Sequence, residues 1–199
     1  MWDERYSEAG FAYGTEANDF LKEEFHRIPK GGRVLCIAEG EGRNAVFLAQ
    51  NGYQVTAMDL SEVGLNKALK LAKDKGVMIT TQVADLADYA LGIERWDGIV
   101  SVWAHLPEAI RQRLHTQIAP ALTQNGVFIL EAYTYEQTTM ESVGGPPSTQ
   151  QELFMSLQKL QPELAALKKV VAIEKHRSIS EGMYHHGLSA VVQFVGVKE

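Results

Sequence analysis

The residues with the most chemical promise stand in two places. The first is Glu39-Gly40-Glu41-Gly42, directly after the apolar run Val34-Leu35-Cys36-Ile37 and directly before Arg43-Asn44-Ala45. Glycine lets a backbone approach a ligand closely, and the first turn of a helix offers free amides and a partial positive charge. The second is Asp59, nineteen positions after Gly40, at the end of the next apolar run. A carboxylate there is placed to accept hydrogen bonds from both hydroxyls of a ribose. Together they point to an adenosine-containing cofactor without saying which one. Gly40-x-Gly42-x-x-Ala45 matches the dinucleotide fingerprint to the letter. The plainer roles are a tight turn for the glycines and a helix cap before Ser61 for Asp59.

Other residues are candidates for handling an acceptor. His105 falls just past the fourth expected strand, at the ligand end of the sheet, and can serve as a base or hold the turn before Pro107. Glu131 and Tyr133 end the fifth strand and can face the same pocket, although Tyr133 and Tyr135 equally suit packing. Tyr13-Gly14 can close over the cofactor or anchor the opening segment, and Arg43 can serve a carboxylate or face solvent. Trp2 and Trp103 can stack on a ligand or in a core. Gly144-Gly145-Pro146-Pro147 reads as a lid or a stiff connection. His185-His186 has no third ligand at a recognisable spacing, so it reads as a surface turn and no metal is expected. Cys36 reads as buried and inert.

The elements that must position these residues alternate. Strands are expected at 33–38, 53–58, 77–83, 99–103 and 127–133. Helices fill the intervals, and a mostly helical stretch is expected at 151–167. Two last strands, 170–179 and 188–197, have no helix between them, only a long turn at 181–187. Alternation predicts a parallel sheet with helices on both faces, and the last pair predicts an antiparallel hairpin at one edge. Asp85-Leu86 follows the third strand; there an acid reaches the exocyclic amine of adenine while a leucine covers the ring, or the pair is a surface turn. A dinucleotide domain continues with parallel strands, whereas this chain turns to a hairpin.

Composition bounds the partners. With 45 % apolar and 22 % charged residues, a folded globular chain is expected rather than a disordered one. A net charge of −6 repels phosphate backbones, which disfavours nucleic acid. One cysteine permits no internal disulfide, and the sequence offers neither a leader peptide nor a membrane span, so a cytoplasmic protein is expected.

On these motifs the chain resembles the class I S-adenosylmethionine-dependent methyltransferases. The likeness is carried by residues 34–44, by Val55-Thr56-Ala57-Met58-Asp59-Leu60-Ser61, by Ala84-Asp85-Leu86, by 96–100 and by 122–128. The start, Trp2-Asp3-Glu4-Arg5-Tyr6, resembles the tellurite-resistance and thiopurine-type branch, whose opening segment helps cover the cofactor. The resemblance implies one Rossmann-like α/β unit over 1–199, with a cap at 1–30 and a core at 31–199. That core is a three-layer sandwich around a seven-stranded, mostly parallel sheet with an antiparallel C-terminal strand.

It also implies S-adenosylmethionine as cofactor and methyl transfer to an acceptor, here expected to be a small molecule. Around the cofactor it places Ala38, Glu39, Gly40 and Asn44, then Asp59 and Leu60 near the ribose, Asp85 and Leu86 at adenine, and Val102 and Trp103 on the floor. Tyr13 and Gly14 come from the cap. Two departures stand out: Cys36 replaces an acid of the pattern and Ala38 replaces a glycine. Glu39 or Glu41 can substitute for the acid. An NAD-dependent oxidoreductase and a cofactor-binding module without catalysis are the alternatives.

Overall fold

The computed structural model describes residues 2–199, so Met1, the first residue of the expected cap, lies outside the described residues. Two short helices, α1 (Trp2–Ser7) and α2 (Asp19–Glu24), precede β1 (Arg33–Ile37). The chain then alternates through α3 (Arg43–Gln50), β2 (Gln54–Asp59), α4 (Glu62–Asp74) and β3 (Thr80–Val83). It continues with β4 (Trp96–Val102), α5 (Glu108–Ala121) and β5 (Leu122–Tyr133). After α6 (Leu157–Glu163) it closes with β6 (Lys168–Glu181) and β7 (His185–Val197).

All seven strands form one sheet in the order β3-β2-β1-β4-β5-β7-β6. The pairs β1–β2, β1–β4, β2–β3 and β4–β5 are parallel. β7 runs antiparallel to both β5 and β6. The strand order reverses between β1 and β4, and in open α/β sheets a ligand sits in the crevice beyond the carboxyl ends at such a point.

β1 is buried on both faces, as its unbroken apolar run requires. Leu35 and Ile37 point into a core shared with Leu114 and Ile118 of α5 and Leu160 of α6. Val34 and Cys36 point the other way, against Phe20, Leu21, Ala45 and Leu48 of α2 and α3. The two sets of helices thus cover opposite faces. α6 is tied to α5 by Glu163, which accepts hydrogen bonds from the fully buried Arg111 guanidinium at 2.9 Å and meets His115 Nδ1 at 2.6 Å.

Several boundaries differ from the sequence expectation; β4, for one, begins at Trp96 and β5 at Leu122, ahead of the expected 99 and 127. The 151–167 stretch is not one helix: Phe154 and Met155 turn inward as buried residues, the Met155 N–H bonds Tyr133 O at 3.1 Å, and Ser156 caps a shorter α6. The long turn at 181–187 shrinks to Gly182, Met183 and Tyr184, because β6 and β7 stay paired to Glu181↔His185. β3 begins at Thr80 rather than at 77, where Val77 and Ile79 instead pack with α3 and α4.

Gly42 sets the distance between α3 and α4. Its φ is +88°, and a methyl group added there falls 2.4 Å from Ala68 Cβ. Gly42→Ala combines left-handed backbone strain with overpacking and should lower unfolding free energy by about 2–4 kcal/mol, read as a lower urea midpoint.

Candidate functional site

At the carboxyl ends of β1 and β2, Asp59 organises the glycine turn. Its Oδ2 accepts the Gly40 N–H at 2.8 Å and its Oδ1 accepts the Ser61 N–H at 2.9 Å. Each oxygen retains lone pairs toward a ligand. Burial raises the pKa of this carboxylate against its backbone hydrogen bonds. Leu60 follows it and is 59 % exposed, an apolar surface at the strand end. Asp85 is exposed and its Oδ1 accepts the Ala87 N–H at 2.8 Å, while Leu86 is buried in the core beneath it.

The two departures from the expected pattern have structural accounts. Ala38 sits at φ +50°, the conformation for which glycine is the usual choice, and its methyl group packs against the α5-side core. Cys36 is fully buried on the α3 side, where burial raises its thiol pKa well above the usual range. The turn that follows carries two acids, Glu39 and Glu41. Glu39 Oε1 accepts the Ala45 N–H at 2.7 Å and so caps α3, whose N-cap residue Gly42 has no side chain to offer. Burial raises the Glu39 carboxyl to about 7, against the Ala45 hydrogen bond and nearby Arg43. Glu41 does something else: its carboxylate takes the Ala12 N–H at 2.7 Å and Lys67 Nζ at 2.9 Å, stapling the opening segment to α4.

That segment forms the outer wall. Tyr6 lies over Gly40 and Gly64, at both of which an added methyl group would strike its ring or hydroxyl. Tyr13 accepts a hydrogen bond from Arg5 at 2.8 Å, and Gly14 sits at φ +73° facing Gly182 of the β6–β7 turn. The Met183 N–H bonds Ala12 O at 3.1 Å, so the hairpin tip clasps the segment.

Beyond β4, Val102 is buried and Trp103 adopts φ +58°, a costly conformation for a bulky residue. Three contacts hold it there. Its N–H bonds Glu131 O at 2.9 Å, its Nε1–H bonds Glu181 Oε2 at 2.7 Å, and its ring stacks on Tyr133 at 4.4 Å. Glu181 also pairs with Arg43 at 2.5 Å and Arg177 at 3.2 Å. Arg177 in turn grips Glu131 with two hydrogen bonds of 2.7 Å. Asn18 donates to both carboxylates, at 2.6 and 2.9 Å, and its N–H bonds Asn44 Oδ1 at 2.9 Å. Arg43 is therefore buried rather than solvent-facing, and Asn44 holds the entry of α2.

His105 is engaged at both ring nitrogens. Nδ1 meets Leu153 O at 2.9 Å and Nε2 accepts the Tyr133 N–H at 3.3 Å. A carbonyl partner makes Nδ1 the protonated nitrogen, and burial pushes the imidazole down to about 4. This geometry suits a bolt between β5 and the 151–153 turn better than a base with a free lone pair.

His185 is the residue the sequence reading missed. It is buried, not on a surface turn, and its ring lies 4.7 Å from Tyr13, 5.1 Å from Trp103 and 5.4 Å from Tyr133. The available signal was parity: in a strand paired through 185, His185 faces inward with Gly187 and Ser189 while His186 faces outward. Among the described residues no cluster of three or more His, Cys, Asp or Glu suits a metal ion. A surface cleft of about 400 Å³ between α2 and β6 is lined by Asp19, Lys22, Lys175 and Arg177; it contains none of the residues at the glycine turn.

Comparison with known proteins agrees with this layout. Residues 34–126 match the family described as a methyltransferase domain. The uncharacterized methyltransferase YbaJ of Bacillus subtilis is 32 % identical over 116 residues, 58 % of this chain and 45 % of that protein. The chain thus spans less than half the length of the curated relative it matches. Among solved structures, TehB from Haemophilus influenzae superposes with a TM-score of 0.72 at 16 % identity, covering 100 % of this chain and 66 % of that one. A SAM-dependent methyltransferase from Aquifex aeolicus superposes with a TM-score of 0.63 at 15 % identity, covering 89 % of each chain. At these identities the structural likeness establishes the fold. Among the described residues no helix is long and apolar enough to cross a membrane.

The Glu39 environment gives a signed pH prediction. Its folded pKa, about 7, lies above the unfolded value near 4.5, so its stabilising contribution is complete below about 4.5 and lost as pH rises through 7. Glu39→Gln removes that loss. Relative to wild type, the variant should gain on the order of 2–3 kcal/mol of unfolding free energy between pH 4.5 and 7.5, measured by urea titration at each pH.

Proposed function

We propose that this chain is a class I S-adenosylmethionine-dependent methyltransferase, a reading supported by its fold and its 34–126 match, and that it transfers the methyl group of that cofactor to a small-molecule acceptor. One observation carries the choice of cofactor. β7 enters the sheet antiparallel between β5 and β6, whereas the dinucleotide-binding sheet continues with a parallel sixth strand. The glycine turn alone suits either.

The residues at the crevice fit the cofactor part by part. Asp59 keeps lone pairs for the ribose hydroxyls, and the exposed face of Leu60 suits adenine, with Asp85 at its exocyclic amine. Glu39 takes over from the displaced acid and faces the methionine amine. When bound, S-adenosylmethionine supplies a methyl group on a sulfonium, a leaving group already activated. The protein's part is then to position, to exclude water and to match the positive charge. Trp103 and Tyr13 offer aromatic faces, and the Glu181 carboxylate lies behind them. His105 acts as an anchor in this reading. The net charge of −6 keeps nucleic acid an unfavoured acceptor, and the single thiol, Cys36, suits a cytoplasmic setting.

Calorimetric titration with S-adenosylmethionine, S-adenosylhomocysteine and NAD tests the reading. Binding of the two sulfur compounds and not of NAD is expected; NAD binding alone would overturn it. Asp59→Ala should weaken the cofactor by about 1.5–3 kcal/mol in a protein that still folds, the loss of hydrogen bonds to a charged group.

Glu39 adds an independent signature. A positive amine beside a carboxyl group with a pKa of about 7 favours its ionised form, so binding at pH 7 should release roughly half a proton. The binding enthalpy should vary with the ionisation heat of the buffer in wild type and not in Glu39→Gln. A buffer-independent enthalpy in wild type would remove Glu39 from the amine site.

A further inference from the structure

Among the described residues, two buried side chains carry polar atoms that no protein group satisfies: Tyr133 Oη and His185 Nδ1. They belong to rings in edge-to-face contact, 5.4 Å apart between centroids, in the aromatic cluster with Tyr13 and Trp103. Buried hydroxyls and imidazoles find partners in almost all folded proteins, so two orphans side by side at a ligand crevice are a specific feature. What roofs the Tyr133 hydroxyl is Gly144, where an added methyl group would fall 2.2 Å from Oη. The roof is a strap that Gln137 fixes, donating to Ser142 Oγ at 2.8 Å and accepting the Ala190 N–H at 2.9 Å.

We infer that Tyr133 Oη and His185 Nδ1 are the acceptor-binding pair of this enzyme and that they receive a small, neutral, hydroxyl-bearing acceptor of the phenol type. The inference rests on the methyltransferase reading above and names the acceptor chemistry for the same site. Tyr133 would donate a hydrogen bond to the acceptor oxygen and so orient it. An oxygen lone pair forms the new O–CH3 bond as the C–S bond breaks, its electron pair returning to sulfur. The acceptor's own proton passes to His185 Nδ1. Burial keeps that imidazole neutral, so Nδ1 presents a lone pair; the proton passes to it only as the O–CH3 bond forms and turns the acceptor's O–H strongly acidic. The Glu181 carboxylate, 4.0 Å from Nδ1, offsets the imidazolium charge until the proton leaves. Sulfur nucleophiles need no such provision, whereas an oxygen acceptor does, and this selects the hydroxyl. Flat aromatic walls select a ring.

The test uses phenol, anisole and benzenethiol as calorimetric probes of the full chain, with and without saturating S-adenosylhomocysteine. Wild type should bind phenol about tenfold more tightly than anisole, which has no hydroxyl hydrogen to give, and more tightly than benzenethiol. Tyr133→Phe and His185→Phe should each weaken phenol about tenfold and leave S-adenosylhomocysteine affinity within twofold. Each also replaces an orphaned polar group with an apolar ring of similar shape, so the melting temperature should hold or rise. The assignment is overturned if phenol binds no better than anisole, if both variants bind phenol like wild type, or if wild type binds none of the probes. Benzenethiol binding as tightly as phenol overturns the choice of oxygen. A wild type that fails to bind S-adenosylhomocysteine counts against the cofactor reading, while the phenol comparison on the unloaded protein still decides the pair.

Discussion

The structure turns on a buried exchange of charge between two carboxylates and two guanidiniums. Glu131 on β5 and Glu181 at the end of β6 are both almost fully buried, and Arg177 spans them while Arg43 closes on Glu181. A buried charge is tolerated only when paired and hydrogen-bonded. Here the rest of the valence is filled by Asn18, Gln193 and the Trp103 indole. These residues come from α2's cap, α3, β5, β6, β7 and the end of β4. The α2 cap, α3, the end of β4, β5, β6 and β7 are therefore joined in one network, in which removing a charged member weakens the pairing of a buried partner. The strained Trp103 backbone is affordable because this network and the Tyr133 ring hold it from three sides.

The glycine turn shows the same economy on a smaller scale. With Cys36 seated among Ala45 and Leu48, β1 is apolar from Val34 to Ile37, and an acid, Glu39, stands in the turn just beyond it. The carboxylate then serves the helix start directly through Ala45 N–H. Such a group is caught between burial, which raises its pKa, and the helix N-terminus, which lowers it. A pKa near neutrality is the consequence, and it makes the turn responsive to an incoming positive group.

What was legible in the sequence follows from periodicity and local chemistry. The unbroken run 34–37, the glycine turn, and Asp59 at a strand end are local patterns, and each sits in the fold where those patterns put it. The antiparallel hairpin was legible because no helix separates its strands. The charge network was not, because its partners lie as far as 163 positions apart and nothing local marks Asn18 or Glu181. His185 was hidden by a turn drawn four residues too long, which removed the strand parity that sends it inward. At 151–167 the helical spacing was read through Phe154 and Met155, whose burial and bond to Tyr133 O won over helix continuation.

The antiparallel strand is what makes one short chain sufficient to wall this site. A further parallel strand would deliver a single loop end to the crevice. β7 instead returns the chain, so the tip Gly182 to Tyr184 lies at the same end of the sheet as the glycine turn. Glu181 and His185 flank that tip and face the crevice from one hairpin. The tip also grips Ala12 and Gly14, whose close approach only glycine at 182 permits, since a methyl group there would fall 2.5 Å from Ala12 O. The opening segment and the inner wall at Tyr133 are in this way joined through one hairpin, which meets Ala12 at Met183 and Tyr133 at His185. Tyr13, in the opening segment, sets its ring 4.7 Å from His185 and so packs the segment directly against the hairpin.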